Sequence, residues 1–312
     1  MILIDDVEIL TVLDGMTFSG AKDIVTRQLV FSFLNNPLKK EIPVYKVNVG
    51  SRVEWKRNNK TLFLGYVEEL PYNTDEDTIT LTCQDLMARL VRSTFIGRMK
   101  GTLNELANNI CGTFGIKNGI ETDNTQVHNI VSDGDLTYYD VLKVACDTLF
   151  DRYTLYMDGD TLKLITGEQE PVNSFEIGVN IRGSQFTQSM SDMVTRVLVI
   201  DNEGRVLDAV ENTEDLQKYG LFQATYNYSE DSKNNLADAR KLLKGVKNEG
   251  TILCNNDNAC ISGRLINIHE PVNGYEGIFE FTSDNHTINT NNSEMTLEVD
   301  YVRAGEILAR RR

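Results

Sequence analysis

Over residues 1–95 apolar and polar side chains alternate in short runs broken by turn-forming residues, the pattern of half-buried strands in a small barrel or sandwich. Leu29, Phe31 and Phe33 alternate with Gln28, Val30 and Ser32, and Val53 and Trp55 alternate with Arg52, Glu54 and Lys56. After Gly50, a strand over 52–57, the polar turn Asn58-Asn59-Lys60 and a strand over 61–67 predict a hairpin. Ile79, Leu81 and Cys83 against Thr78, Thr80 and Thr82 close this run. The period changes at Gly101. Thr102 with Glu105 three residues on reads as a capping box, and Leu103, Leu106, Ala107 and Ile110 share one helical face before a stop signal at Gly112. A second helix starts at Thr137, with Asp140 at cap spacing, and buries Tyr138, Val141, Leu142, Ala145 and Leu149. Strands over 153–157 and 160–165 then flank Asp158-Gly159, a turn pair suited to the twist of a hairpin. From residue 172 short strands return. They include a hairpin over 193–200 and 205–210 around Asn202-Glu203-Gly204, and three β segments over 250–302. One helix over 231–247 follows from the spacing of Leu236, Ala239, Leu243 and Val246.

These elements predict a mainly β fold with an α+β insert: two small antiparallel β-barrel domains, 1–98 and 172–303, around a small α+β domain at 99–171. A basic tail, 304–312, ends in Arg310-Arg311-Arg312. With 312 residues, each domain is large enough to bury its own core without staples. Five cysteines, Cys83, Cys111, Cys146, Cys254 and Cys260, are an odd number without CxxC spacing, so they read as reduced core residues. The opening Met-Ile-Leu-Ile-Asp-Asp has no basic n-region, and no apolar run approaches the ~20 residues that span a bilayer. Synthesis in a cytoplasm without a signal peptide, and no direct membrane contact, are the expectations.

Forty-six acidic against 31 basic residues give a net charge of −15, the wrong sign for gripping a nucleic-acid backbone. The charge is uneven. Residues 38–60 hold Lys39, Lys40, Lys46, Arg52, Lys56, Arg57 and Lys60 against Glu41 and Glu54, while residues 201–215 hold Asp201, Glu203, Asp208, Glu211, Glu214 and Asp215 against Arg205. Solvated loop and strand faces account for both runs; as a pair of opposite sign they are also candidates for a subunit interface. The interface candidates are Lys39, Lys40, Arg52, Lys56 and Arg57 on one side and Asp208, Glu211, Glu214 and Asp215 on the other.

Candidate chemistry is sparse. The three histidines, His128, His269 and His286, have no motif partners; His269 precedes Glu270-Pro271 at a strand end and His286 lies in the polar run Asp284-Asn285-His286-Thr287, so both read as turn residues. No HExxH, GxSxG, P-loop or dinucleotide-binding glycine motif occurs. Asp133-Gly134-Asp135 and Asp158-Gly159-Asp160 do not continue into a calcium loop and read as turns. Adjacent acids such as Asp5/Asp6 and Glu68/Glu69 are expected by chance among so many, and Cys254, Cys260 and His269 make a poor zinc set. The expectation is no catalysis, no metal and no cofactor.

In the second β region the stretches Met193-Val194-Thr195-Arg196-Val197-Leu198-Val199, Tyr219-Gly220-Leu221-Phe222-Gln223, Ala237-Asp238-Ala239-Arg240-Lys241-Leu242-Leu243 and Glu270-Pro271-Val272-Asn273-Gly274-Tyr275-Glu276-Gly277 resemble the XkdQ/YqbQ-type tail proteins. These are baseplate hub subunits of contractile phage tails and phage-tail-like bacteriocins. Gly50-Ser51-Arg52-Val53 and Leu62-Phe63-Leu64-Gly65-Tyr66-Val67 are similar to their early hairpin, and the 137–149 helix and the Asp158-Gly159 hairpin to their middle domain. The resemblance implies a homotrimeric ring. Each subunit would give it two similar barrels, so that six barrels match a sixfold tail tube while the trimer matches a threefold central spike. Implied partners are the tail tube protein, the central spike protein, other baseplate proteins and the tape measure, in a virion or tail-like particle. A tail-associated cell-wall hydrolase is the alternative. A spike-type effector carrier is a third reading, and it expects a further barrel and a β-helix beyond the hub.

Overall fold

The computed structural model describes residues 1–301 except positions 11, 23, 72–75, 151, 167–169, 231–233, 273–274 and 290–292. The tail at 304–312 therefore lies outside the described residues, as do the first positions of the helix expected over 231–247. Two compact units emerge: residues 1–184 with 251 onward, and residues 185–250.

The larger unit begins with β1 (Ile2–Ile4), β2 (Val7–Glu8), β3 (Val12–Ala21), β4 (Ile24–Leu34), β5 (Arg52–Arg57), β6 (Lys60–Glu69), β7 (Thr78–Asp85) and the short helix α1 (Met87–Arg92). The alternation seen in the sequence is what buries one face. Leu29 of β4 stands opposite Cys83 of β7, and Phe31 opposite Leu81, so the inward rows coincide. Trp55 packs edge-on against Phe18 with ring centroids 5.5 Å apart. Asn58 and Asn59 both take left-handed φ, 51° and 61°, which makes the β5–β6 connection the two-residue turn that a right-twisted hairpin favours.

The insert follows as β8 (Thr94–Gly101), α2 (Leu103–Phe114), β9 (Lys117–Asn118), β10 (His128–Thr137), α3 (Tyr138–Leu149), β11 (Tyr153–Asp158) and β12 (Thr161–Thr166). Both capping boxes form: Thr102 with Glu105, and Thr137 with Asp140. Leu103, Leu106, Ala107 and Ile110 are all buried, together with Val141, Leu142 and Ala145 of α3. Gly112 does not stop α2. The helix runs to Phe114 and ends at Gly115, whose φ of 66° lets its N–H close back on the Cys111 carbonyl. Asp133-Gly134-Asp135 is a bulge within β10 rather than a turn, because β8 continues to pair on either side of it. Asp158-Gly159 does turn β11 into β12.

The second β region supplies β13 (Ser174–Glu176), β14 (Ile181–Ser189), then β15 (Arg196–Ile200), β16 (Val206–Glu211), α4 (Thr213–Tyr219), β17 (Gln223–Asn227), α5 (Asn235–Arg240), and finally β18 (Lys247–Asn255), β19 (Leu265–Glu270), β20 (Tyr275–Ile288) and β21 (Ser293–Tyr301). Strands from both β regions are hydrogen-bonded into one sheet of 13, in the order β14-β18-β21-β20-β3-β4-β7-β6-β5-β1-β2, with β19 on β20 and β13 on β19. The join is β3 against β20, where Phe18 faces His286 and Ala21 faces Ser283.

The smaller unit is a three-stranded sheet, β16-β15-β17, over which Val197, Val199, Val210 and Ala239 form the buried centre. The helix expected over 231–247 is shorter, Asn235–Arg240. Beyond it, Leu242 donates to Ala239 O and Leu243 to Arg240 O, so the chain tightens into a turn. Leu236 and Leu243 still pack on that centre, so the periodicity identified the inward side chains but not the element.

Candidate assembly surfaces and a buried ionic centre

The nine candidate interface residues divide between the units: the basic set lies in the larger, the acidic set in the smaller. Lys39 follows β4 and pairs with Asp77, whose carboxyl that hydrogen bond holds below its usual range. Lys40 and Arg57 are exposed and make no ion pair among the described residues. Arg52 bonds Asp6 at 3.0 Å and reaches Glu54 at 3.4 Å, and Lys56 lies 3.1 Å from Glu54. Burial would raise the Glu54 carboxyl, but hydrogen bonds from Thr61 and Lys56 and the nearby charges hold it below the ordinary value. Arg52 and Lys56 thus neutralise a carboxylate of their own strand. On the acidic side Glu211 pairs with Arg196 at 2.9 Å, and Asp215 accepts from Asn212 at 2.6 Å at the start of α4. Asp208 and Glu214 are exposed and free of ion pairs among the described residues.

Sequence reasoning assigned no element to α4, and it missed a buried ionic cluster. Arg27 of β4 grips the Asp284 carboxylate of β20 through both terminal nitrogens, one at 3.0 Å. The Ser262 N–H donates to the same carboxylate at 2.6 Å, and His286 Nε2 lies 3.1 Å from it. His286 Nε2 is also 2.9 Å from the Cys260 carbonyl, and Nδ1 is 2.7 Å from Asn256 Oδ1. Arg27, Asp284 and His286 are 5%, 1% and 0% exposed, and the Arg27 guanidinium lies 4.2 Å over the Phe18 ring. Burial alone would raise Asp284, yet the Arg27 charge and the His286 hydrogen bond bring it down to about 2. Both nitrogens of this imidazole are taken and neither meets solvent, so His286 locks strands together and offers nothing to a substrate.

His269 and His286 are strand residues, not turn residues. His269 is in β19, 3.3 Å from Glu276 across the ladder, and His286 is in β20. His128 is buried in β10, where its Nδ1 meets Thr148 at 3.3 Å and burial lowers its proton affinity. Asp5 and Asp6 form a left-handed turn, and Glu68 is held by Arg92 at 2.7 Å, so these three acids are occupied structurally. All five cysteines are buried and unbridged; burial pushes Cys83, Cys146 and Cys254 up to about 12 and Cys111 to about 11. Among the described residues no group of three or more His, Cys, Asp or Glu is placed to hold a metal, and no helix is long and apolar enough to cross a membrane.

What the elements define is a mainly β fold with a two-helix insert, and it is the fold of phage tail proteins. The 43 kDa tail protein of prophage MuSo2 from Shewanella oneidensis matches with a TM-score of 0.71 at 15% identity, over 92% of this chain and 93% of that one. An E. coli type VI secretion system component, described as structurally similar to the T4 tail proteins gp27 and gp5, matches at 0.53 and 9% identity over 97% of this chain and 77% of that one. Within this fold the sequence is specific: residues 16–300 match the YQBQ-like family, to which the chain belongs. The phage-like element PBSX protein XkdQ of Bacillus subtilis strain 168 is 27% identical over 271 residues, 82% of each chain.

Proposed function

We propose that this chain is a structural, non-enzymatic subunit of the baseplate of a contractile phage tail or phage-tail-like particle. Three copies close a ring that adapts a sixfold tail tube to a threefold spike. The observation that carries this reading is the end-to-end sharing of a tail-protein fold, over 92% of this chain and 93% of the other. In this reading residues 1–98 and 172–303 act as two similar barrel-like domains, so a trimer offers six equivalent contacts to the tube. The insert at 99–171 projects toward the spike or the peripheral baseplate. Partners are the tube, spike and other baseplate proteins and the tape measure, met after synthesis in the bacterial cytoplasm.

The smaller unit supports an assembling role. Its edge strand β16 leaves Val206 and Leu207 exposed, at 57% and 53%, beside an unpaired backbone edge that a monomer would normally blunt. The test is the mass of the purified chain in solution. A species near three times 35.2 kDa, without turnover on peptidoglycan, is expected. A monomer at high protein concentration that clears peptidoglycan would replace the hub with a wall hydrolase.

A further inference from the structure

Beside the buried ionic centre, the hairpin β11–β12 leans on the main sheet and leaves a cleft of about 160 Å³. Two close approaches build it. The Asp158-Gly159 turn lies against the Thr61 carbonyl of β6, and at Gly263, where φ is 89°, a Cβ would stand 2.0 Å from Thr154 Oγ1 of β11. The walls are apolar at Phe18, Leu62, Met157 and Ile261, and charged at Arg27, Lys60, Arg264 and Asp158.

Three cations and one carboxylate line this small space, and a second carboxylate, Asp284, lies behind Arg27, so the excess positive charge, opposite in sign to the chain's net −15, rests on Arg264. The cations are not equivalent. Arg27 is neutralised by Asp284, and Lys60 lies 3.2 Å from Asp158 at the rim. Arg264 has no acidic partner among the described residues. Its Nη2 reaches the Tyr156 hydroxyl at 3.4 Å, and its Cζ stands 5.9 Å from that ring. The Nε–H groups of Arg27 and Arg264 are both buried, and neither has a hydrogen-bond acceptor among the described residues. An unpaired buried guanidinium N–H is costly, and the planar fork of arginine suits an oxyanion. The space far exceeds the roughly 10–15 Å³ that one water needs.

We propose that this cleft is a binding site for a phosphate-class oxyanion. Arg264 is its principal anchor, Lys60 closes the rim, and the buried Nε–H of Arg27 supplies a donor from the floor. Two arginines and a lysine among the lining residues favour a tetrahedral anion, with more acceptor oxygens than a carboxylate. Asp158 is the one carboxylate among the lining residues.

The experiment is calorimetric titration of inorganic phosphate into the full chain, against chloride of equal ionic strength and against acetate. Wild type should give saturable phosphate binding. Arg264→Gln should weaken it about tenfold and Lys60→Met less, as expected for loss of a charge-assisted contact within the cleft and of one at its rim. Asp158→Asn keeps the turn chemistry and removes the repulsion, so binding should tighten about fivefold, which loss of structure could not produce. Heats for phosphate no larger than for chloride, acetate bound in preference to phosphate, or Asp158→Asn and Arg264→Gln both indistinguishable from wild type would each overturn the proposal.

Discussion

Asp85 and Asp284 both sit near Arg27, and opposite outcomes follow from how each is paired. Burial pushes Asp85 up to about 7, only partly offset by Arg27 and by the Met87 N–H at 3.1 Å, and its Oδ2 has no partner. A carboxyl raised in the folded state costs stability as pH climbs from its unfolded value near 4 toward 7. Asp85→Asn should therefore gain on wild type between pH 4 and pH 8, by an amount on the order of 4 kcal/mol. Asp284 has the reverse sign. Its carboxyl is lowered to about 2, so its contribution is present above pH 4 and fades as pH falls toward 2. Asp284→Asn should lose about 3–5 kcal/mol at neutral pH, since it strands Arg27 in the core. Urea unfolding followed by the single tryptophan, Trp55, reads both variants. Arg27 was legible in the sequence, because it shares the odd-numbered, inward parity of Leu29, Phe31 and Phe33. Its partners were not. The β20–β21 ladder slips between Phe281 and Ser283, so the inward positions change from the odd residues Phe279 and Phe281 to the even residues Asp284 and His286. A polar run looks like a turn until that bulge is known.

At the level of elements, the smaller unit is the delicate part, with four buried apolar residues at its centre. Thr195, fully buried, holds the return from α4 to β17: its hydroxyl donates to Gly220 O at 3.0 Å and accepts from the Phe222 N–H at 2.8 Å. Thr195→Val keeps the volume and removes both bonds. It should cost about 1–3 kcal/mol, seen as lost hydrogen-exchange protection in β15 and β17 while the Trp55-monitored transition stays in place. The helices α2 and α3 could be read directly, because a cap with a partner three residues on and a 3.6-residue stripe are both local signals. The helix α4 could not be read from periodicity, because it buries no residue and so carries no stripe; Asn212 and the acids after it were the only cue. The pairing of β8 with β10 was equally hidden, since the inward row of β8, Phe95, Gly97, Met99 and Gly101, carries two glycines while Ile96 on the other face is exposed, so no apolar alternation marks the strand.

For the whole molecule, a cyclic trimer requires two different patches per subunit. The ion pairs narrow the candidates, because Arg52 and Lys56 are engaged with Glu54, and Glu211 with Arg196. If the proposed trimer forms through these patches, reversal to glutamate at Lys40 and Arg57 should slow its formation about tenfold at low salt without unfolding the subunit. Lysine at Asp208 and Glu214 in the same chain should restore part of the rate. Stopped-flow light scattering at low and high salt distinguishes these outcomes, and an unchanged rate in the first variant would remove these patches from the interface. The family was legible because turn dipeptides and apolar spacing persist along the chain. The pairing of β3 with β20 was not, since nothing local in either strand names its neighbour.

That pairing also sets a clock. Arg27 and Asp284 are 257 positions apart, and β3 has no neighbour on its outer side until β20 exists. At about 5–20 residues per second, a ribosome takes roughly 13–50 s to travel between the two partners. Throughout that interval the nascent amino-terminal strands carry a bare edge and a guanidinium without its counter-ion. The sheet is thus joined only once β20 has emerged, and neighbouring polysomal chains have time to offer each other the wrong strand.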